Sequence, residues 1–347
     1  MEAPTPVKRI SFLDLAKGIG ILLVVWGHAY GPFRDSIYQF HMPFFFLISG
    51  LLYSRKATAG EFIKKKVFRL YIPFALWNLF FYTFHMLLAR QAVSLKEMVL
   101  ILLTISKDGK FLGATWFLGA LFVISVLYRL LDASLPEGKE KQFLLPGCFL
   151  LIALAGFQIT LPYYLSRTLI LSAYFAIGAF LKEHSETAAK YLERRAFAVF
   201  LFSAVLFLFI IRSNSISLQK NTFRYPVLFF IGAFLGSYCL LYFCRQMDSC
   251  HNPLVKKVCR FFCFLGEHSM DLVIWQFVAF CFVALFQMLL CHETMSVSNI
   301  LSHLPRYSTA GWWWLPYTLA GTFLPLLICR LLRAGPWGKA LRKIHIV

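Results

Sequence analysis

Long runs of apolar residues, separated by short segments that carry Lys and Arg, dominate this sequence. The first run covers residues 10–30, and about 20 apolar residues in a helix suffice to cross a bilayer. Ten runs follow one another, at residues 10–30, 40–54, 68–89, 114–131, 143–161, 167–182, 196–212, 225–244, 261–290 and 312–333. Because a lipid-facing backbone must satisfy its own hydrogen bonds, the pattern predicts an all-α, polytopic transmembrane helical bundle with about ten spans.

The composition excludes other classes of protein. Hydrophobic residues make up 59% of the chain and charged residues 15%, whereas soluble domains have roughly 45–50% and about 25%. Disordered chains, secreted disulfide scaffolds and ordinary soluble enzymes do not fit these values. No long linker or low-complexity stretch interrupts the runs, so we expect residues 1–347 to form a single integral-membrane domain.

The basic residues predict the orientation. The chain has 35 Lys and Arg against 16 Asp and Glu, an excess that in a soluble protein would suggest nucleic acid. Here most of them flank the runs on the side of the N-terminus, as the positive-inside rule requires of cytoplasmic loops. We therefore expect both termini in the cytoplasm, a lipid bilayer and no nucleic acid as partner, and a multi-pass position in the plasma membrane. Residues 97–105 are too short to cross and are expected to be re-entrant or interfacial.

The first apolar run contains three ionisable residues, Asp14, Lys17 and His28. Lys17 and His28 are 11 residues apart, which in an α-helix places them on one face, about 16 Å apart along the axis. Asp14 lies one turn before Lys17 and can pair with it. Charges inside a membrane are costly and mark functional sites. The alternatives are a neutralised Asp14–Lys17 pair near the inner interface, with Lys17 reaching to water, and a helix-end histidine without a function.

The second run begins FHMPFFFLISG and adds two further site residues. Ser49 and Gly50 are small and would let another helix or a substrate chain approach closely. His41 lies near the same side of the membrane as His28, either as a second site histidine or as an interfacial residue.

A basic cluster follows at the start of the third run. Lys65, Lys66 and Arg69 lie within about one helical turn at the predicted cytoplasmic end. Such a cluster binds anionic lipid headgroups or the phosphates of a nucleotide-like ligand. The residues alone leave both interpretations open.

Tryptophans and cysteines suggest what else the chain binds. Trp26 and Trp116 could offer indole faces to a sugar ring, although an interfacial or packing role is the alternative. The nine cysteines form no paired CxxC motif. Cys259 and Cys263 share a helix face, but two thiols do not make a metal site, so no metal is expected.

These motifs together resemble acyltransferase family 3, the integral-membrane O-acyltransferases. The family pattern of a basic residue, ten residues and a histidine is similar to Lys17–His28, preceded by Asp14. The segments at 40–50 and 66–73 also resemble family motifs, and they occur in the family's order. Residues 115–118 (TWFL) are similar to the family's Trp-Tyr-Leu segment, and residues 265–270 (LGEHSM) to its late Gly-x-x-Ser segment.

Two positions differ from the family pattern. The family often has Arg where Lys17 stands, which keeps the charge but loses the guanidinium fork. Its late motif often ends in Leu-His, whereas this chain has Trp275 and Gln276. Gln276 can form hydrogen bonds but cannot carry a proton, which counts against acid–base chemistry at this position.

The resemblance implies an O-acyltransferase, most commonly an O-acetyltransferase, of a bacterial inner membrane. Such an enzyme moves an acyl group from cytoplasmic acyl-CoA, here expected to be acetyl-CoA, to a hydroxyl of a carbohydrate or cell-envelope glycan. We expect no permanently bound cofactor. A saccharide transporter or flippase without acyl-transfer chemistry is the alternative function, against which the absence of a visible internal repeat counts.

The resemblance also implies roles for the residues named above. His28 is expected to be the general base, with Lys17 and Asp14 beside it in the catalytic group. A covalent acyl-histidine intermediate is an alternative route. The remaining site residues divide into two expected groups: donor binding by Lys65, Lys66, Arg69 and Ser49, and acceptor binding by His41, Trp116 and Trp26.

Overall fold

The computed structural model describes residues 11–104, 111–162, 165–184, 195–218, 220–336 and 338. Helices dominate it. In chain order they are α1 (Ser11–His28), α2 (Arg34–Tyr38), α3 (His41–Leu51), α4 (Ala59–Lys66), α5 (Ile72–Leu88), α6 (Leu95–Leu103), α7 (Trp116–Ser134), α8 (Lys139–Gln158), α9 (Leu165–Glu183), α10 (Ala196–Ser213), α11 (Pro226–Ser249), α12 (Pro253–Glu267), α13 (Ser269–Leu290), α14 (Val297–His303) and α15 (Trp314–Ala334).

Shorter elements lie between these helices. A π-helix, Val67–Tyr71, joins α4 to α5, and a 3₁₀ turn, Gly311–Trp313, precedes α15. Strands β1 (Ile216–Ser217) and β2 (Thr222–Phe223) form a small antiparallel hairpin between α10 and α11. The sequence pattern does not predict this hairpin, because two residues per strand are too few for a period to show.

Nine helical segments within the described residues are long and apolar enough to cross a membrane, which confirms the polytopic bundle. The remaining predicted run, the second one at residues 40–54, forms the short helix α3 instead. Its 11 residues rise about 16 Å, roughly half of the hydrocarbon core. This short helix still runs antiparallel to α1. Tyr38, just before it, donates to Gly27 O at 3.0 Å, and the Phe44 ring packs on Gly20, two turns earlier in α1.

The predicted run at 261–290 is two helices rather than one span. α12 ends at Glu267 and α13 begins at Ser269, with His268 between them at φ −97° and ψ 15°, outside helical geometry. Asp271 in the first turn of α13 accepts hydrogen bonds from Arg333 Nη2 at 2.9 and 2.7 Å, and His268 Nδ1 lies 2.9 Å from the same carboxylate. A partly buried ion pair at this point stabilises the break between the two helices, which the apolar pattern of the sequence does not reveal.

Pairs of glycines bring the helices around the first span into close contact. A Cβ on Gly18 of α1 would lie 1.8 Å from Phe262 O, and one on Gly266 would lie 2.2 Å from Asp14 O. The crossing of α3 and α9 has the same character, since Gly50 and Gly178 each face the other helix's backbone. Small residues at such crossings let helix backbones approach within van der Waals contact.

A buried carboxylate, Asp132 of α7, holds the connection between α3 and α4. It accepts hydrogen bonds from Tyr53 Oη at 2.6 Å and Arg55 Nε at 2.9 Å, and Lys141 Nζ lies 3.2 Å away. Burial and the hydrogen bond to this carboxylate raise the pKa of Tyr53. Arg55 and Lys141 belong to segments that the sequence predicts to be cytoplasmic, and the structure gathers them with Tyr53 at one end of the bundle.

Both terminal segments lie outside the described residues, and so do the predicted loop residues Lys107 and Lys110. The cytoplasmic position of the termini therefore stays a prediction.

Candidate active site

A cavity of about 1060 Å³ lies beside α1. Its walls come from α1, α2, α3, α7, α9, α13, strand β1 and the segment before the last span. Many of the lining side chains are polar, which is unusual for the interior of a membrane bundle and marks a functional site. The ionisable and hydroxyl-bearing lining residues are Lys17, His28, Tyr30, Arg34, Asp35, Tyr38, His41, Ser49, Arg167, Ser217, Ser269 and Arg306.

His28 ends α1 and presents its imidazole to this cavity. Its Nδ1 lies 3.0 Å from Gln276 Oε1, and Gln276 Nε2 donates to Val273 O at 3.4 Å. Because the amide nitrogen donates to Val273, the amide oxygen faces His28, and the imidazole donates from Nδ1. Nε2 then keeps its lone pair. In its neutral form, an imidazole held in this way can accept a proton at Nε2.

His41 lies at the same end of the cavity. Its Nδ1 donates to Ile37 O at 2.9 Å, and its ring stacks on Tyr38 at a centroid distance of 5.0 Å. The side chain is buried, and its hydrogen bond to the backbone leaves Nε2 as the acceptor, as the hydrogen bond to Gln276 does in His28. The two imidazoles therefore share one part of the cavity and one tautomer.

Lys17 lines the cavity, about 16 Å along α1 from His28. Its Nζ lies 3.0 Å from Asp14 Oδ1, so the predicted pair forms. Asp14 does not line the cavity, and its carboxylate faces Lys17 from the preceding turn. The cavity thus has an ammonium group at one end and two imidazoles at the other.

Ser49 lines the cavity from α3 and donates its hydroxyl hydrogen to Phe45 O at 2.8 Å. The basic residues predicted to hold the donor with it lie elsewhere. Lys65, Lys66 and Arg69 are not among the lining residues, and Lys66 Nζ lies 5.3 Å from the centre of the Phe62 ring. Only Leu70 of that segment reaches the cavity wall.

The two predicted tryptophans differ in position. Trp116 begins α7, lines the cavity and lies under the Arg167 guanidinium, whose Cζ is 3.6 Å from the ring centre. Trp26 is not a lining residue. Its Nε1 donates to Pro32 O at 2.9 Å and its ring packs on Trp314, so it holds the turn after α1.

Three arginines line the end of the cavity near His28. Arg306 donates to the His28 backbone oxygen, and its neighbour Tyr307 donates from the backbone to Tyr317 Oη at 3.1 Å. Arg34, in the short helix α2, stacks on Tyr30 at 4.0 Å. Arg167 lies near the start of α9, which runs parallel to α3 and so begins near His41. Burial lowers the pKa of Arg306, but an arginine stays charged at neutral pH.

Comparison with known proteins identifies the family. A family described as "Acyltransferase domain" matches residues 10–343, nearly the whole chain. The chain belongs to this family. Nodulation protein NolL from Mesorhizobium japonicum is 32% identical over 145 residues, a stretch that covers 37% of this chain and 37% of NolL. This chain therefore aligns with little more than a third of that relative. No solved structure matches this chain.

Within this acyltransferase chain, the sequence reasoning missed several lining or contacting residues. The sequence assigns Arg34, Arg167 and Arg306 only to the segments predicted to lie outside the membrane, and it gives them no role in the site. An arginine flanked by aromatic residues, such as Arg306 before Tyr307, is a weak signal for a bound guanidinium. Gln276 is a departure from the family pattern in the sequence, yet in the structure it is fully buried and contacts His28.

Proposed function

We propose that this chain is a membrane-embedded O-acyltransferase that moves an acyl group, most simply acetyl, from acyl-CoA to a hydroxyl of a carbohydrate or cell-envelope glycan. Family membership supports the reaction class. The observation that carries the proposal is the His28 imidazole, oriented by Gln276 in a cavity that also reaches Lys17. A bacterial inner membrane is the proposed location.

His28 acts as general base in this proposal. Its Nε2 takes the proton of the acceptor hydroxyl while the hydroxyl oxygen attacks the thioester carbonyl carbon. The carbon–sulfur bond then breaks, and the CoA thiolate takes the proton back from the imidazolium. The charge on the imidazole rises during the step, and the Gln276 amide oxygen stabilises that charge through Nδ1–H.

The donor enters from the Lys17 end. CoA carries several phosphate charges, and an ammonium group at the cavity wall favours their approach. The pantetheine arm is narrow and largely uncharged, so it suits the passage of about 16 Å along α1 between Lys17 and His28. Lys65, Lys66 and Arg69 lie outside the cavity and would act earlier, by attracting CoA to this side of the membrane.

The test is acyl transfer by purified protein in nanodiscs, with radiolabelled acetyl-CoA and envelope glycan as acceptor. We expect His28→Ala to lower transfer at least about a hundredfold, as loss of a general base does. His251→Ala is the matched control, because His251 is exposed and does not line the cavity. Equal transfer by the His28→Ala variant would overturn the assignment, and a saccharide transporter would consume no acetyl-CoA at all.

A further inference from the structure

We propose that the acceptor carries an anionic group, a phosphate or a carboxylate, and that Arg34, Arg167 and Arg306 bind it. We call these three residues the arginine cluster. The inference rests on the proposed function, since it names the substrate class of the same site. It follows from charge, strain and unused hydrogen-bond donors at the His28 end of the cavity.

The charge at this end is unbalanced. The arginine cluster comes from three separate segments of the chain, yet all three side chains line one cavity. Within the described part of the chain, Asp35 is the one carboxylate that lines it. Placing guanidinium groups inside a membrane bundle is costly unless opposite charge compensates them. A neutral sugar would supply no such charge, whereas an acidic one would.

Two members of the cluster share one aromatic ring. The Cζ atoms of Arg34 and Arg306 lie 4.0 and 4.9 Å from the centre of the Tyr30 ring, so they are within about 9 Å of each other. Like charges at this distance repel each other in a partly buried site. An anion bound between the two guanidinium groups would turn this repulsion into attraction on both sides.

The backbone that carries Tyr30 is held in an unusual conformation. Tyr30 has φ 61° and Phe33 has φ 60°, the left-handed region that aromatic residues seldom adopt. Trp26 fixes the turn through its hydrogen bond to Pro32 O, and a Cβ on Gly31 would lie 2.2 Å from Trp26 Nε1. Strain of this kind persists where the surrounding structure imposes it, and it concentrates at ligand sites.

Arg34 also has a hydrogen-bond donor to spare. Arg34 Nε is buried and has no hydrogen-bond partner among the described residues. The Arg34 guanidinium lies over the Tyr30 ring with its face, so the edge that carries Nε–H stays available. Such an edge matches the paired oxygens of a carboxylate or phosphate.

Two sources could supply such an anion, the acceptor or the phosphates of CoA. Arg306 bonds to the backbone of His28 itself, so an acceptor whose hydroxyl reaches the imidazole lies close to this guanidinium. A donor that enters at Lys17 has its thioester at His28 and its phosphates at the other end, about 16 Å away along α1. The geometry therefore favours the acceptor.

The experiment measures binding by the purified full-length chain in detergent, from the shift of its thermal unfolding midpoint. Glucose 1-phosphate and glucuronate are the charged probes, and glucose is the neutral one. We expect both charged sugars to raise the midpoint and glucose to leave it unchanged. Arg34→Gln and Arg306→Gln should each weaken charged-sugar binding by about tenfold or more. Arg34→Lys, which keeps the charge but not the fork, should restore part of the affinity.

Arg212→Gln is the matched control, since Arg212 is exposed at the end of α10 and does not line the cavity. The proposal would be overturned if charged and neutral sugars shifted the unfolding midpoint equally, or if none of them shifted it. Unchanged binding of the charged sugars by the Arg34→Gln and Arg34→Lys variants would also overturn it. These two variants keep the proposal testable if the Arg306→Gln variant fails to fold. Weaker CoA binding with unchanged sugar binding would assign the cluster to the donor instead.

The proposed function is tested separately, by His28-dependent consumption of acetyl-CoA. Anion binding without that activity would refute the acyl-transfer proposal and leave the arginine cluster as an anion site. Activity with no preference for charged sugars would refute the inference drawn from the cluster and leave the enzyme assignment standing.

Discussion

Replacing Gln276 by Leu tests how the active site holds its base. The substitution keeps a side chain of similar size at a fully buried position and removes the oxygen that accepts from His28 Nδ1. The imidazole must then either leave Nδ1–H without a partner or move its proton to Nε2. In the first case a buried donor is unsatisfied, and in the second the ring no longer has a basic nitrogen facing the substrate.

The magnitude follows from the cost of that unsatisfied donor. Leaving a buried N–H without its acceptor costs about 1–3 kcal/mol. Each 1.36 kcal/mol corresponds to a factor of ten, so kcat should fall by roughly 5- to 150-fold. KM for acetyl-CoA should stay close to its original value, because Lys17, at the other end of the cavity, is untouched.

Initial-rate kinetics with radiolabelled acetyl-CoA in nanodiscs measure both constants. Gln276→Glu is the matched variant, since it keeps an oxygen acceptor at the same place and should retain more activity than Gln276→Leu. A Gln276→Leu variant with unchanged kcat would refute the positioning argument. So would a variant in which only the thermal stability falls, because Gln276 would then serve packing alone.

Three further predictions concern the donor end, the buried carboxylate and the helix crossing. Lys17→Ala should raise KM for acetyl-CoA several-fold in initial-rate measurements, because the ammonium group at the cavity wall is lost. The control variant Lys257→Ala, at an exposed residue outside the cavity, should leave this KM unchanged. Asp132→Asn should lower the free energy of unfolding by about 3 kcal/mol or more in a denaturation series, because the buried Lys141 and the partly buried Arg55 lose the carboxylate charge that they face. Glu137→Gln, at a carboxylate that is 80% exposed, should change it by less than about 1 kcal/mol. Gly18→Leu should abolish folded protein on size-exclusion chromatography, since its Cβ would lie 1.8 Å from a backbone oxygen.

The sequence by itself determined the helical architecture and the face of α1 that lines the active site. Apolar length decides which segments can span, because every span must satisfy its backbone hydrogen bonds locally. The helical period decides that Lys17 and His28 share a face, because that relation holds within one element. Both residues line the cavity, and Ser49, His41 and Trp116 line it with them. Local rules are enough for such statements, since they need no knowledge of neighbouring helices.

Only the tertiary structure decided which distant residues complete the site. The Gln276 oxygen faces His28 across 248 residues of sequence, and the arginine cluster joins three segments that in sequence look like ordinary loop charges. Lys66 and Arg69 have the right charge for the donor but lie outside the cavity, and the apolar run at 261–290 breaks at His268. Each of these depends on how helices pack against one another, and packing is set by contacts between residues far apart in the chain, which hydrophobicity and period do not encode.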